Sequence, residues 1–353
     1  MRRAHLALFL GLAGLASAPA RADLVYVLNS ADASISVLES TTKEEVRRIP
    51  VLREAHHLIL TPERGELMVG DAGGNELIFI DPATAEVTRR EKFSNPYHME
   101  LSPDGRLLVV TSLRRDQVDI YEAATRTLLA RLKVPDKPSH LAYTPDSRIA
   151  FVTLQGVRKL MAIDLATYKP LWTAEVGPQP AGVTWHNGKL LVGIMGSDHV
   201  AVVNPADGKV ERTIFAGRGA HTVFPSPDRK LLYVNSRVDS RITVLDGETL
   251  EPRAHWDLPG GPDCIAFDPR GRLWVTLRWT GRLAIVDPAT GEWETVPVGR
   301  SPHGVFVQPR ATPLPPLAVS ETAPPAEVTP TPAATGAEAP AQQPAVWRRM
   351  LGR

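Results

Sequence analysis

The chain has 353 residues, a formal net charge of +1 and one cysteine, Cys264. The nearly balanced charge excludes a nucleic-acid-binding protein that acts through a basic surface. A single cysteine cannot form an internal disulfide, so the fold must depend on its hydrophobic core, which a chain of this length can build.

The first 22 residues have the pattern of a secretory signal peptide. Arg2 and Arg3 precede an apolar run from Leu6 to Ala16, and residues 20–22 read Ala-Arg-Ala. The apolar run is too short to span a bilayer, and the tripeptide is a cleavage site of the small–X–small type. We therefore expect cleavage after Ala22 and a periplasmic or secreted mature protein. No later stretch is long and apolar enough for a transmembrane helix.

Residues 23–309 repeat one sequence motif, which consists of an inner strand, a turn and a second apolar strand. The turn recurs every 40 to 42 residues, at Pro62, Pro103, Pro145, Asn187, Pro227, Pro269 and Pro309. This period, with several strands per unit, is typical of propeller blades. Leu24–Asn29 lacks an inner strand before it, and Gly304–Gln308 is an inner strand with nothing after it. The sequence thus predicts an all-β, seven-bladed propeller of four-stranded antiparallel blades, closed by pairing the two ends.

The repeat resembles a known family. The segments FVTL at Phe151 and YVNS at Tyr233, with the recurring turns SPDG and TPDS, are similar to the YVTN-type β-propeller repeat. The resemblance spans Leu24 to Pro309. It implies a bacterial extracytoplasmic or surface protein related to the propeller that carries haem d1 in a nitrite reductase. It does not imply one activity, because propellers host many functions.

Histidines concentrate where the chain enters the inner strands. His57, His98 and His140 each lie five residues before their turn proline. Imidazole suits divalent transition metals, so we predict a metal site with these ligands: His57, His98, His140, His221 and His303. The adjacent pair His56-His57 resembles the paired histidines of the copper centre in nitrous oxide reductase. Because neighbouring residues of a strand point to opposite faces, we do not expect both members to face the axis. The alternative is that these histidines hydrogen-bond loop backbone.

Arginines concentrate in the loops between the second and third strands of the blades. The predicted ligand-binding residues are Arg114, Arg115, Arg158, Arg237 and Arg278. Guanidinium groups match carboxylate and phosphate, so we expect an anionic ligand at the axial mouth. The alternative is a solvated rim.

These patterns predict a monomeric, periplasmic binding protein whose mouth holds an anionic small molecule, a divalent metal, a haem d1-like tetrapyrrole or a protein loop. The alternatives are a lactonase-type hydrolase and a copper-like metal centre, the first of which would need a metal or carboxylate pair. The sequence contains no CxxCH haem attachment, no GxSxG nucleophile elbow and no P-loop.

Residues 310–353 form a tail rich in Pro, Ala and Thr, a composition that predicts disorder because it cannot bury enough apolar area. The last residues contain Trp347, Met350 and Leu351 beside arginines. This tip could dock on a partner or a membrane surface, or remain solvated.

Overall fold

The computed structural model describes residues 22–62 and 65–309, which form 28 strands in seven four-stranded antiparallel sheets. The first strands are β1 (Leu24–Asn29), β2 (Ser34–Glu39) and β3 (Glu45–Pro50). The second blade contains β4 (Ala55–Leu60), β5 (Leu67–Asp71), β6 (Glu76–Asp81) and β7 (Glu86–Lys92). The third contains β8 (His98–Leu101), β9 (Leu107–Ser112), β10 (Gln117–Glu122) and β11 (Leu128–Lys133).

The remaining blades follow the same plan. The fourth contains β12 (Pro138–Tyr143), β13 (Ile149–Leu154), the 3-10 turn Gln155–Val157, β14 (Lys159–Asp164) and β15 (Lys169–Glu175). The fifth contains β16 (Pro180–His186), β17 (Lys189–Ile194), β18 (His199–Val203) and β19 (Val210–Phe215). The sixth contains β20 (Ala220–Pro225), β21 (Leu231–Ser236), β22 (Arg241–Asp246) and β23 (Pro252–Asp257). The seventh contains β24 (Pro262–Phe267), β25 (Leu273–Leu277), β26 (Arg282–Val286) and β27 (Trp293–Pro297), and β28 (Pro302–Gln308) returns to the first blade.

The two ends of the ring pair as predicted. The innermost strand of the first blade is β28, which lies antiparallel to β1 with Leu24 opposite Gln308 and Val25 opposite Val307. This pairing confirms the seven-bladed fold and its closure. It leaves neither terminal strand of the ring as an exposed edge.

The core lies between neighbouring blades. The middle strands are buried on both faces, and one cluster packs Tyr26 and Ile35 of the first blade against Ile78 of the second. In the outermost strands, such as β15, exposed and partly buried side chains alternate, because only one face of these strands meets the next blade. Four of the tight turns between third and fourth strands begin with an aspartate, and at Asp81 the carboxylate accepts a hydrogen bond from the Ala83 amide (2.8 Å).

Within the described residues, no helix has the length and apolarity needed to cross a membrane. The predicted signal peptide and the predicted disordered tail lie outside the described residues, so both remain predictions.

Candidate functional site

Six histidines meet on the axis where five inner strands begin. They are His56, His57, His98, His140, His221 and His303. The His57 ring lies at the centre, with centroid distances of 4.2 Å to His98, 4.7 Å to His303 and 5.3 Å to His140. His221 continues the cluster at 5.3 Å from His140. The structure therefore brings all five predicted metal ligands into one cluster, and metal binding itself remains a prediction.

His56 also belongs to this cluster, contrary to the expectation from strand alternation. Its ring lies 4.8 Å from that of His57 and 3.9 Å from that of His303. The pairing of β4 with β5 shifts register between Ala55 and His57, which makes His56 the extra residue of a β-bulge. A bulge redirects one side chain, so both members of the pair can face the axis.

The same distortion recurs at other blades. The register of β20 shifts between Ala220 and Thr222, which leaves His221 as the extra residue. Shifts at the starts of β12 and β24 and at the start of β28 enclose His140, Asp263 and His303. Bulges therefore position four of the six histidines and the carboxylate beside them.

Asp263 is the fully buried carboxylate of this site. It accepts a hydrogen bond from Arg237 Nε (2.8 Å), one from Arg278 Nη1 (2.9 Å) and one from His303 Nδ1 (2.6 Å). His221 Nδ1 lies 3.4 Å from the same group. Burial alone would raise the pKa of Asp263, but Arg237, His303, Arg278 and His221 together hold it well below its usual range. The residue is therefore an anion that only accepts hydrogen bonds.

This carboxylate affects which histidine ring nitrogen is free to bind a metal ion. Because an ionised carboxylate cannot donate, the Nδ1 atom of His303 carries a proton, and its Nε2 atom carries a lone pair. His221 Nδ1 instead lies 2.9 Å from the Thr222 hydroxyl, which can donate or accept. Carboxylate-bound imidazole is the usual arrangement around protein metal ligands. His140 Nδ1 lies 2.7 Å from Ser139 Oγ, and in the tautomer in which Nδ1 donates, its Nε2 has a lone pair as well.

Three imidazole nitrogens of this cluster are buried without a hydrogen-bond partner among the described residues: His56 Nδ1, His98 Nδ1 and His140 Nε2. Leaving a buried polar atom unsatisfied costs about 1–3 kcal/mol, so three such atoms in one place favour the binding of a ligand or water among the histidines. The histidines are also neutral at pH 7, because burial lowers the pKa of all six, to about 3 in His98 and about 4 in His303. Neutral imidazole is the form that binds metals.

His56, His57 and His303 have the best geometry for one ion, since each offers a nitrogen and these atoms lie within 4.8 Å of one another. His57 Nε2 and His303 Nε2 are 3.2 Å apart. Two nitrogens on one tetrahedral ion, at roughly 2.0–2.1 Å each, lie about 3.3 Å apart, so this pair needs almost no movement. A second possible group contains Asp263, Cys264 and His303, but both oxygens of Asp263 already accept from arginine.

A cavity of about 290 Å³ opens above the histidines. Three of the five predicted arginines, Arg114, Arg237 and Arg278, line it together with His56 and His221. Tyr97 and Trp279 form other parts of its wall, and the Tyr97 ring stacks on His56 with centroids 4.1 Å apart.

The other two predicted arginines lie elsewhere. Arg115 lines a separate open groove with Leu52 and Phe93. Arg158 follows the 3-10 turn with a left-handed backbone (φ 63°) and pairs with Glu175 on β15 at 3.0 Å, where both side chains are exposed. Neither residue therefore lines the cavity above the histidines. Their positions depend on the conformations of their loops, which the repeat pattern does not predict.

The mouth is also less basic than the sequence suggested, because acidic partners accompany its arginines. Arg114 pairs with Glu54 (2.5 Å), and the rim residues Arg218 and Arg300 pair with Asp239 (2.7 Å) and Asp32 (2.9 Å). Among the described residues of the cavity wall, the buried pair of Arg237 and Arg278 around Asp263 keeps an excess of positive charge.

The predicted site residues did not include His56 as a ligand or Asp263 as an organising carboxylate. A signal for both was present, because Asp263-Cys264 falls at the same step of its repeat as His56-His57. What was absent was any indication that Arg237, Arg278 and His303 would converge on Asp263 from three other parts of the chain.

The chain shares about a quarter of its sequence with a curated relative. It is 25% identical over 321 residues to Protein NirF of Pseudomonas aeruginosa, an alignment that covers 82% of this chain and 70% of NirF.

Two solved structures share the fold. One is dihydro-heme d1 dehydrogenase NirN in complex with DHE (TM-score 0.62, 16% identity, 83% of this chain and 78% of that chain). Another, from Bacteroides fragilis, is provisionally assigned as a 6-phosphogluconolactonase (TM-score 0.64, 14% identity, 81% of this chain and 98% of that chain). The predicted relation to the haem d1 propellers is thus confirmed as a relation of fold.

One family profile matches the whole propeller. The YNCE-like beta-propeller profile matches residues 6–313, which include every strand described above. The chain belongs to the YNCE-like β-propeller family.

Proposed function

We propose that this chain is an extracytoplasmic binding protein that holds a divalent transition-metal ion in the histidine cluster at its axial mouth. The observation that supports this most is the orientation of His303. Its Nδ1 is bound to Asp263, and its Nε2 lies 3.2 Å from His57 Nε2, which is close to the edge of a tetrahedral coordination shell.

The donor set favours copper or zinc. His56, His57 and His303 supply three neutral imidazole nitrogens, a set that suits these ions and not magnesium or calcium, which prefer oxygen. Cys264 belongs to the other possible group, and burial, followed by the charge of Asp263, raises the pKa of its thiol well above its usual value. Bound metal would supply a Lewis-acidic centre, while Asp263 and the bulged strands keep the imidazoles in place.

The test is a metal titration followed by thermal unfolding of the purified mature protein. We expect Cu²⁺ or Zn²⁺ to raise the melting temperature in a concentration-dependent way, and Mg²⁺ and Ca²⁺ to have no effect, because only binding to the folded state stabilises it. His57→Gln should remove this shift. The matched control is His199→Gln, since His199 lies on the surface beside Asp198 and outside the cluster. A wild-type protein that shows no shift with either ion would overturn the proposal.

A second candidate ligand is an anionic tetrapyrrole. The NirN neighbour is a complex with DHE, and the cavity in this chain combines histidines with Arg237 and Arg278, which could pair with carboxylates. The size of the cavity makes this the second choice. At about 290 Å³ it lies at the lower limit for small-molecule pockets, so a macrocycle would require the mouth to open. An intense visible absorption band in protein purified from its native compartment would favour the tetrapyrrole over a simple metal ion.

The lactonase-type alternative has less support. The Bacteroides fragilis structure shares the fold at 14% identity, which carries no activity across. Glu54, which lines the cavity, pairs with Arg114, and Asp263 pairs with two arginines of the cavity wall, so neither of these two carboxylates is a free acid or base.

A further inference from the structure

The chemistry above the histidine cluster identifies a second ligand, and this inference rests on the proposed metal site. Three imidazoles leave an ion with an open coordination position, which is the arrangement of metal sites that bind exogenous molecules. His56 belongs both to the converging trio and to the wall of the cavity. A molecule in the cavity would therefore lie next to the ion.

The charges around the cavity select the class of that molecule. Glu54 and Arg114 form an ion pair, so their charges cancel. Arg237 and Arg278 both pair with the single carboxylate of Asp263, so this buried group keeps one positive charge. The described cavity wall thus has an excess of one positive charge, to which a bound divalent ion would add two, and this excess favours an anionic ligand.

Arg278 is the residue best placed to hold it. Its side chain is 11% exposed, and its hydrogen bond to Asp263 uses Nη1 alone. A guanidinium has five N–H donors, so most of its donor capacity remains after that bond. Arg237, by contrast, directs both Nε and Nη2 to Asp263 and Nη1 towards the Met195 sulfur. A buried guanidinium forms strong, charge-assisted hydrogen bonds to an anion.

The volume limits the size of the anion. A cavity of about 290 Å³, with Trp279 and Tyr97 in its wall, accommodates a small ligand of about a dozen heavy atoms, since a cavity of roughly 150 Å³ already holds benzene. We infer that the cavity is a subsite for a small anion that occupies the open position of the bound metal ion while Arg278 donates hydrogen bonds to it.

The experiment uses copper-loaded protein and azide, a small monoanion whose binding to Cu²⁺ produces a charge-transfer absorption band. Azide is titrated into wild type, Arg278→Gln, Arg278→Lys and Arg115→Gln after the copper affinity of each has been measured. We expect Arg278→Gln to weaken azide binding by about 10-fold or more, the value of one charge-assisted hydrogen bond. Arg278→Lys should recover part of the loss, and Arg115→Gln, in a separate groove, should match wild type.

The outcomes separate the two proposals. If wild type takes up copper but azide binds equally well to wild type and Arg278→Gln, the anion subsite is overturned and the metal site stands. If wild type binds zinc but no copper, the same variants are compared for azide binding to the zinc-loaded protein by calorimetry. If wild type binds neither ion, both proposals are overturned. If Arg278→Gln weakens copper and azide binding by the same factor, Arg278 acts only through Asp263 and the inference is also overturned.

Discussion

At the scale of single residues, Asp263 determines what the six histidines can do. It holds the Nδ1 of His303 at 2.6 Å, and its charge is balanced by Arg237 and Arg278. One carboxylate therefore fixes a tautomer, aims a nitrogen at His57 and anchors the cation that we assign to the anion subsite. A buried charge with this many partners is costly to remove, because its arginines would then be left unpaired.

We expect Asp263→Asn to lower copper affinity by about 10–100-fold, as loss of a partner behind a metal-binding imidazole typically does. It should also lower the free energy of unfolding by roughly 3–5 kcal/mol, since Arg237 and Arg278 lose their buried counter-charge. Isothermal titration with copper and urea unfolding of the metal-free protein measure the two effects.

The control for that prediction is Asp239→Asn, which removes a carboxylate from the exposed pair with Arg218. A surface pair contributes about 0–1 kcal/mol, and this one has no contact with the cluster, so both measurements should stay near wild type. Copper affinity of Asp263→Asn equal to that of the control would show that the carboxylate does not orient His303.

At the scale of strands, the bulges explain which parts of the site could be predicted. The repeat places His57, His98 and His140 at one step of consecutive blades, and that step alone predicts their contact. The bulge at His56 is a change of hydrogen-bond pairing, which leaves no mark on the alternation of apolar and polar residues. The blade count was predictable because it depends on a period. The partners of Asp263 were not, because their convergence depends on loop conformation.

Gly193 on β17 shows how closely the strands of neighbouring blades approach at this level. A Cβ added to it would lie 2.2 Å from the His221 carbonyl oxygen and 2.6 Å from its carbonyl carbon. Both atoms belong to the backbone of the bulge in β20, which cannot move without moving the His221 ring.

We expect Gly193→Ala to lower the melting temperature by several degrees and to weaken copper binding, because the alanine methyl must displace the bulge that presents His221. Gly70→Ala is the comparison, since its Cβ would approach the Pro96 carbonyl oxygen at the longer distance of 2.8 Å. The variants are compared by calorimetry and copper titration. A smaller effect at Gly193 than at Gly70 would contradict this account of the bulge.

At the scale of the whole molecule, the site exists only because the ring closes. The converging nitrogens come from β4 in the second blade and from β28, the last strand of the described chain. His303 reaches His57 because β28 pairs with β1 at the opposite end of the sequence. Closure of the ring is therefore required to bring the candidate metal ligands together.

Two truncated chains test the contributions of the ring and of the tail that follows it. A chain that ends at Pro309 keeps all of β28, so we expect its melting temperature and copper affinity to match those of the full chain within error. A chain that ends at Arg300 lacks β28 and His303 and leaves β1 as an unpaired edge, which should prevent cooperative unfolding and favour aggregation. Calorimetry, size-exclusion chromatography and copper titration on all three chains test this. A drop of several degrees in the chain that ends at Pro309 would mean that residues 310–353 stabilise the propeller, contrary to the independence predicted from their composition.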